Sequence, residues 1–221
     1  MIKNVFFDVN ETLIDFSHFE PVLEKIGLST LDSSLWFARV LQDGFALTLT
    51  QKPANFAQIG ESVLTNLVQE RGLQVSKQQI LEVIQELIKL PPHPEVGPTM
   101  QQLVAQKIVV ATLSNGSVAG AEFIFNQLGI RSLISHILSV QDTSHWKPHL
   151  KAYQYGLAQC QTSAAESVLV AVHPWDIHGA NQAGLKTVWV NRKDLAYPKY
   201  FSSPTATIDN LLALSPVLTS L

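Results

Sequence analysis

The chain is short of charge. Among its 221 residues there are 15 Lys and Arg and 18 Asp and Glu, together 15%, against the roughly 25% typical of soluble chains. The two signs nearly cancel, leaving a net −3, and no basic cluster stands out. Nucleic acid and membrane surfaces are therefore not expected as partners. Cysteine is nearly absent. Cys160 stands alone, so no intramolecular disulfide can form, which fits a reducing compartment and makes a cytoplasmic location the expectation. Cys160 lies in the apolar-periodic stretch YQYGLAQC and reads as a packed thiol rather than a nucleophile. No run reaches the roughly 20 apolar residues of a membrane span, and MIKNVFFDVNE places its acids too early for a signal peptide. Disorder is excluded, because 46% of the residues are hydrophobic. The length suits one domain, or one domain carrying a modest insertion.

What is present is a set of five short apolar runs, 2–7, 107–113, 135–140, 167–172 and 186–190, each rich in Val, Ile or Phe. They are near-continuous rather than alternating, as in parallel strands covered on both faces. Helical patterns separate the last four: 117–128 ending at Gly129, 149–160 just after Pro148, and 177–183 ending at Gly184. This alternation predicts an α/β fold, a doubly wound parallel sheet with right-handed crossovers. Residues 15–95 read differently, as helices over 19–26, 32–41, 54–70 and 76–90. Ser76 and Gln79 form a capping box at the start of the last one, and the proline-rich PPHPEVGP follows. The expected organisation is a core of 1–14 and 96–221 with a helical cap of 15–95 inserted after the first strand. A separate N-terminal helical domain would leave that strand without sheet partners.

In open α/β sheets the site lies outside the carboxyl ends of the strands. The first strand runs into Asp8, Asn10, Glu11 and Thr12, the second into Ser114, Asn115 and Ser117. The loop after the third ends at Trp146-Lys147-Pro148, and the fourth runs into His173-Pro174-Trp175-Asp176. Ser114, Asn115 or Ser117 alone would read as a helix cap. Two carboxylates, a lysine and hydroxyls delivered to one edge read as a catalytic constellation. A desolvated Asp8 kept ionised by Lys147 is a competent nucleophile, with Thr12 and Ser114 as hydrogen-bond donors.

Asp8 with Thr12, Ser114-Asn115, Lys147-Pro148 and Asp176 resemble, in order and spacing, the four motifs of the haloacid dehalogenase superfamily. FFDVNETLID, TLSNGS, WKPHLKAY and HPWDIHGA resemble its 2-haloacid dehalogenase branch. The resemblance covers essentially the whole chain and implies a Rossmann-like core with a helical cap. It implies that Asp8 displaces halide from C2 of a small 2-haloacid, and that water then hydrolyses the aspartyl ester to give a 2-hydroxy acid, without a cofactor. It makes Arg39, in LWFARVLQ, the group that receives the halide. Ser114 and Asn115 would hold the substrate carboxylate or Asp8, and Lys147 would keep Asp8 ionised. Tyr153 would belong to the active-site network, and Asp176 would position the hydrolytic water. Trp36 and Phe56 would cover the apolar side of the substrate. Members of the branch are often homodimers, and few surface charges suit an apolar interface.

The sequence departs from the family at two places. Magnesium-dependent phosphatases of the superfamily carry a second aspartate where this chain has Asn10. An amide cannot usefully give or take a proton and brings one charge fewer to a Mg²⁺ site, so a Mg²⁺-dependent phosphatase is the alternative rather than the expectation. Ala171 and His173 stand where well-known dehalogenases carry serine and asparagine. His173 reads either as a water-activating base or as a loop histidine bonded to a backbone carbonyl. A fold retired to a binding role is a third reading, against which stand Asp8, Arg39, Ser114, Lys147 and Asp176 together.

Overall fold

The computed structural model describes residues 1–221. Six strands, β1 (Asn4–Phe7), β2 (Val109–Ser114), β3 (His136–Ser139), β4 (Ser167–Ala171), β5 (Lys186–Val190) and β6 (Ala206–Ile208), form one parallel sheet in the order β3-β2-β1-β4-β5-β6. The chain therefore builds outward from β1 to one edge and then restarts on the other side of β1. A crevice opens at that switch point. Every residue of β1 and β4 is buried, which requires helices on both faces and explains why their sequences do not alternate. Phe7 pairs with Thr112 and with Val170. The register brings the residues after β1, β2 and β4 to one edge.

The helices are α1 (Glu20–Glu24), α2 (Thr30–Leu49), α3 (Phe56–Glu70), α4 (Lys77–Glu86), α5 (Val96–Ala105), α6 (Val118–Gln127), α7 (Leu150–Gln159), α8 (Pro174–Gln182) and α9 (Leu214–Ser220). Several differ from expectation. α2 continues to Leu49 through Gly44, which serves close packing instead of ending the helix: a Cβ there would lie 2.3 Å from the Trp146 ring. The proline-rich connector passes directly into α5, with Pro98 in the first turn, where no amide is missed. α8 begins at Pro174 rather than 177, which places Asp176 in its first turn. α7 begins at Leu150, capped by the His149 side chain. β6 and α9 in the tail were not anticipated, because a three-residue strand among Ser, Thr and Pro carries too little apolar pattern.

Capping boxes at Ser29/Asp32, Asn55/Gln58 and Ser76/Gln79 start α2, α3 and α4. The chain leaves β1 and returns to α5 through two adjacent segments. Asp15 N donates to Pro91 O at 2.8 Å and His93 N to Leu13 O at 2.9 Å. One continuous body of buried apolar side chains runs from the sheet into α2 and α3. No helix is long and apolar enough to cross a membrane.

Candidate active site

Asp8 leaves β1 at the sheet edge, buried, and Thr12 Oγ1 donates to its Oδ2 at 2.7 Å. The Thr12 hydroxyl is itself fixed by Val172 N, which donates to it at 3.1 Å from the end of β4. Lys147 is fully buried and its Nζ donates to Asp8 Oδ1 at 2.9 Å and to Asp176 Oδ2 at 2.6 Å. Tyr153 on α7 lies beneath Asp176 and donates to its Oδ1 at 2.7 Å. Gly179 permits this approach, since a Cβ there would lie 2.5 Å from the Tyr153 hydroxyl. One buried cation thus bridges two buried carboxylates, the arrangement that offsets desolvation best.

The electrostatics separate the two acids. Burial alone raises the Asp8 carboxyl, but the Lys147 ammonium, then His173 and the Thr12 hydroxyl, outweigh it and hold Asp8 below the usual carboxylate range. Burial dominates at Asp176. The neighbouring ammonium lowers its value, the Asp8 charge raises it, and the net direction is upward. Burial lowers Lys147, yet Asp176 and Asp8 raise it beyond that, so it stays charged. Burial, then Asp176, push the Tyr153 hydroxyl far above its ordinary value, so it acts only as a donor.

His173 lies on the other side of Asp8. Its Nε2 is 3.3 Å from Asn10 O, 3.5 Å from Asp8 Oδ2 and 3.6 Å from Glu11 Oε2. All three neighbours are acceptors, so Nε2 carries the ring proton. The ring stacks on Phe37 at 5.7 Å and on Trp175 at 5.0 Å. Glu11 has φ of 60°, a left-handed conformation uncommon for a residue with a side chain and a mark of strain at functional positions. Phe37 has no signal in the sequence, and Glu11 is legible there only as a residue at the sheet edge without a role. Trp146 is likewise legible only by its place before Lys147. It stacks on Phe56 at 5.9 Å, accepts no role in catalysis, and ties the lysine loop to the helices through Trp146 N to Thr48 Oγ1 at 3.0 Å.

Two cavities flank the Asp8 loop. One, of about 310 Å³, is bounded by Val9, Asn10, Phe56, Ser114, Gly116 and Ser117, among others. Ser114 Oγ accepts from Gly116 N at 2.9 Å, leaving its own proton free to donate. The other, of about 270 Å³, is more polar and includes Glu11, Phe37, His173 and Arg192. Asp8 and Asp176 are the acids placed to share a cation, and Lys147 Nζ already lies between them. No group of three or more His, Cys, Asp or Glu is arranged to hold a metal ion.

Four expectations need correction. Arg39 does not face Asp8. Its Nη1 donates to Glu70 Oε1 and Oε2 at 2.9 and 2.8 Å on α3. Two helical residues separate side chains by about 200° around the axis, so with Phe37 over His173, Arg39 points nearly the opposite way. Trp36 does not line the substrate space: it is fully buried within the helices and donates Nε1 to Gly60 O at 2.9 Å. Asn115 is turned toward the lysine loop instead of substrate or Asp8: Oδ1 accepts from Lys147 N at 2.9 Å and Nδ2 donates to Lys147 O at 3.3 Å. Tyr153 is part of the active-site network but not a substrate-binding residue: it sits behind Asp176 and donates to it. Asn115 and Tyr153 are positioning residues.

Residues 2–184 match the family model for haloacid dehalogenase-like hydrolases. The chain is 26% identical over 209 residues to haloacetate dehalogenase H-2 of Moraxella sp. (strain B), covering 94% of this chain and 93% of that one. It is 25% identical over 215 residues to an (S)-2-haloacid dehalogenase of Pseudomonas sp. (strain YL), covering 96% and 93%. Its fold superposes with a TM-score of 0.92, at 20% identity and over 100% of both chains, on L-2-haloacid dehalogenase from Xanthobacter autotrophicus with chloropropionic acid covalently bound.

Proposed function

Because the chain belongs to the haloacid dehalogenase-like hydrolase family, we propose that it hydrolyses the carbon–halogen bond of 2-haloacids with Asp8 as nucleophile and without a metal. One observation carries this reading. Asp8 is a buried carboxylate held ionised by Lys147 at 2.9 Å, and its chain neighbours Val9 and Asn10, with Ser114, line an apolar cavity. The names of the relatives suggest the substrate class, and chloropropionic acid joined covalently to the Xanthobacter protein is what attack on carbon by a carboxylate would leave. Asn10, an amide that cannot usefully give or take a proton, and Lys147, already ion-paired with both acids, disfavour the Mg²⁺-dependent phosphatase alternative. The proposal includes a core of 1–14 and 96–221 that carries the chemistry, a cap of 15–95 that covers it, and a cytoplasmic homodimer.

The substrate carboxylate meets the Ser114 hydroxyl and the start of α6, where free backbone N–H groups and the helix dipole favour an anion. An Asp8 oxygen forms a bond to C2 as the carbon–halogen bond breaks, and the halide leaves with the electron pair. It departs among the neutral amides of Asn10 and Asn55 and the rings of Phe16 and Phe56, whose edges carry partial positive charge. Water then reaches the ester carbonyl carbon from the polar cavity. The carbonyl oxygen gains charge in that step, and either Asp8 oxygen has a donor waiting: Lys147 on Oδ1, Thr12 and His173 on Oδ2. His173 Nδ1 points away from Asp8, so it takes one proton of the water through a second water of the polar cavity that His173 lines. The imidazolium so formed keeps Nε2–H among Asn10 O, Asp8 and Glu11. Collapse breaks the ester bond, the departing 2-hydroxy acid takes the proton from His173, and the second proton of the water leaves Asp8 for solvent.

The test is halide release, without added metal, from each enantiomer of 2-chloropropanoate and from fluoroacetate. Halide is expected. Silence there, together with Mg²⁺-dependent release of phosphate from a phosphate ester, overturns the proposal.

A further inference from the structure

We infer that the acid fitted by this site carries a long unbranched alkyl group on C2, up to about six carbons in the whole acid, rather than being haloacetate or 2-chloropropanoate. The inference rests on the dehalogenase reading. The cavity beside Asp8 measures about 310 Å³. With the ~30 Å³ of a water molecule as the yardstick for one non-hydrogen atom, it holds about ten such atoms. 2-Chloropropanoate has six and 2-chlorohexanoate nine.

The sheet edge and the start of α6 supply Ser114, Gly116 and Ser117 to the lining, and Asn10, Asn55 and Gln141 add further neutral polar groups. The cap supplies Ile84, Leu87 and Ile88. Ile88 lies close to Gly120 of α6, whose Ala121 and Ile124 also line the cavity. Ile84, Leu87 and Ile88 are large aliphatic residues left only half-buried, and an alkyl chain lying along them would take their exposed faces out of water. No Asp, Glu, Lys, Arg or His lines this cavity. A second charged group on the substrate would be desolvated there without a partner, which excludes 2-halo diacids such as chlorosuccinate as good substrates.

The test is calorimetric binding of the products, 2-hydroxyalkanoates of three, four, six and eight carbons, to the intact protein, with halide release measured from the matching 2-chloro acids. Affinity should rise about fourfold per added methylene up to six carbons and then level off. A flat or falling series, or no binding at all, overturns the inference. Ala121→Phe and Ile88→Glu should each bring the six-carbon acid to within about twofold of the three-carbon acid. An undiminished chain-length slope in both variants overturns the placement of the chain. If no acid releases halide while the slope persists, the dehalogenase reading fails and the size preference stands. If short acids release halide and the slope is flat, the size preference fails and the dehalogenase reading stands.

Discussion

The sheet edge and the helices that cover it are built on opposite plans. At the edge, a fully buried lysine bridges two buried carboxylates, and Thr12, Tyr153 and Asn115 fix their orientation. On the covering side, the surfaces packed on the site are aromatic, Phe37 on His173 and Phe56 on Trp146, and the cap's titratable Asp15, Glu20 and His93 reach only the polar cavity. The cap's own ion pairs, Arg39 with Glu70 and Arg71 with Asp32, lie elsewhere. Charge is thus concentrated on the rigid side, where strand register fixes position to a fraction of a residue, and the covering side contributes shape and exclusion of water. A chain with only 15% charged residues still assembles a densely charged site this way.

The comparison is broken most directly at the edge. Asp8→Asn removes the nucleophile and should lower kcat for halide release by about 10⁴-fold or more. Retention of substantial activity would move the chemistry off the edge altogether. Lys147→Met leaves Asp8 and Asp176 buried without their cation, and urea unfolding should show a loss of about 3–5 kcal/mol. In the parent protein the active form of Asp8 is ionised and is held below the ordinary carboxylate range near 4, so the first, halide-forming step should fall only as pH drops below about 4. Without the ammonium, burial pushes Asp8 up, and the acid limb of the pH profile of Lys147→Met should move to higher pH.

The two regions also differ in how far they could be read from sequence. Asp8, Ser114, Lys147 and Asp176 were legible because short buried strands announce themselves, and a parallel register delivers their carboxyl ends to one edge. Arg39 was misread because a helix turns 100° per residue. A phase error of two residues between Phe37 and Arg39 carries a side chain to the far side of α2. Glu11 could be placed at the edge but not in its conformation, because nothing in the residue types around it signals a backbone φ of 60°. Asn115 and Tyr153 were placed in the right neighbourhood with the wrong contacts, since a motif does not say whether a side chain touches substrate or the residue behind it.

His173 joins the two regions, standing on Asp8 and stacked on Phe37. His173→Gln keeps an N–H donor but removes the base, so the first step should survive and the second should slow by about 10²–10⁴-fold. Rapid-quench measurements would then show one equivalent of halide released in a burst, with the aspartyl ester accumulating in intact-protein mass spectra. Loss of the burst itself would assign His173 to the displacement step, on the substrate's side of Asp8.

Arg39→Ala should have the smallest effect, and it tests most sharply whether the cap's ion pairs lie away from the site. Arg39 and Glu70 are 34% and 49% exposed in their side chains, so their pair is worth about 0.2–1 kcal/mol of stability, measurable as a small shift in the urea midpoint. Halide release should stay within about twofold of the parent rate, because screening by water leaves an outward guanidinium little influence on a buried leaving group. A loss of about a hundredfold, about 2.7 kcal/mol of barrier, would mean that Arg39 reaches the halide after all. Given the helix geometry, that requires α2 to turn through nearly half a revolution when substrate binds, which would break both the Trp36 Nε1–Gly60 O bond and the stacking of Phe37 on His173. Tryptophan fluorescence would report such a turn on adding substrate to Asp8→Asn, so a large effect of Arg39→Ala with no fluorescence change has no route through this architecture.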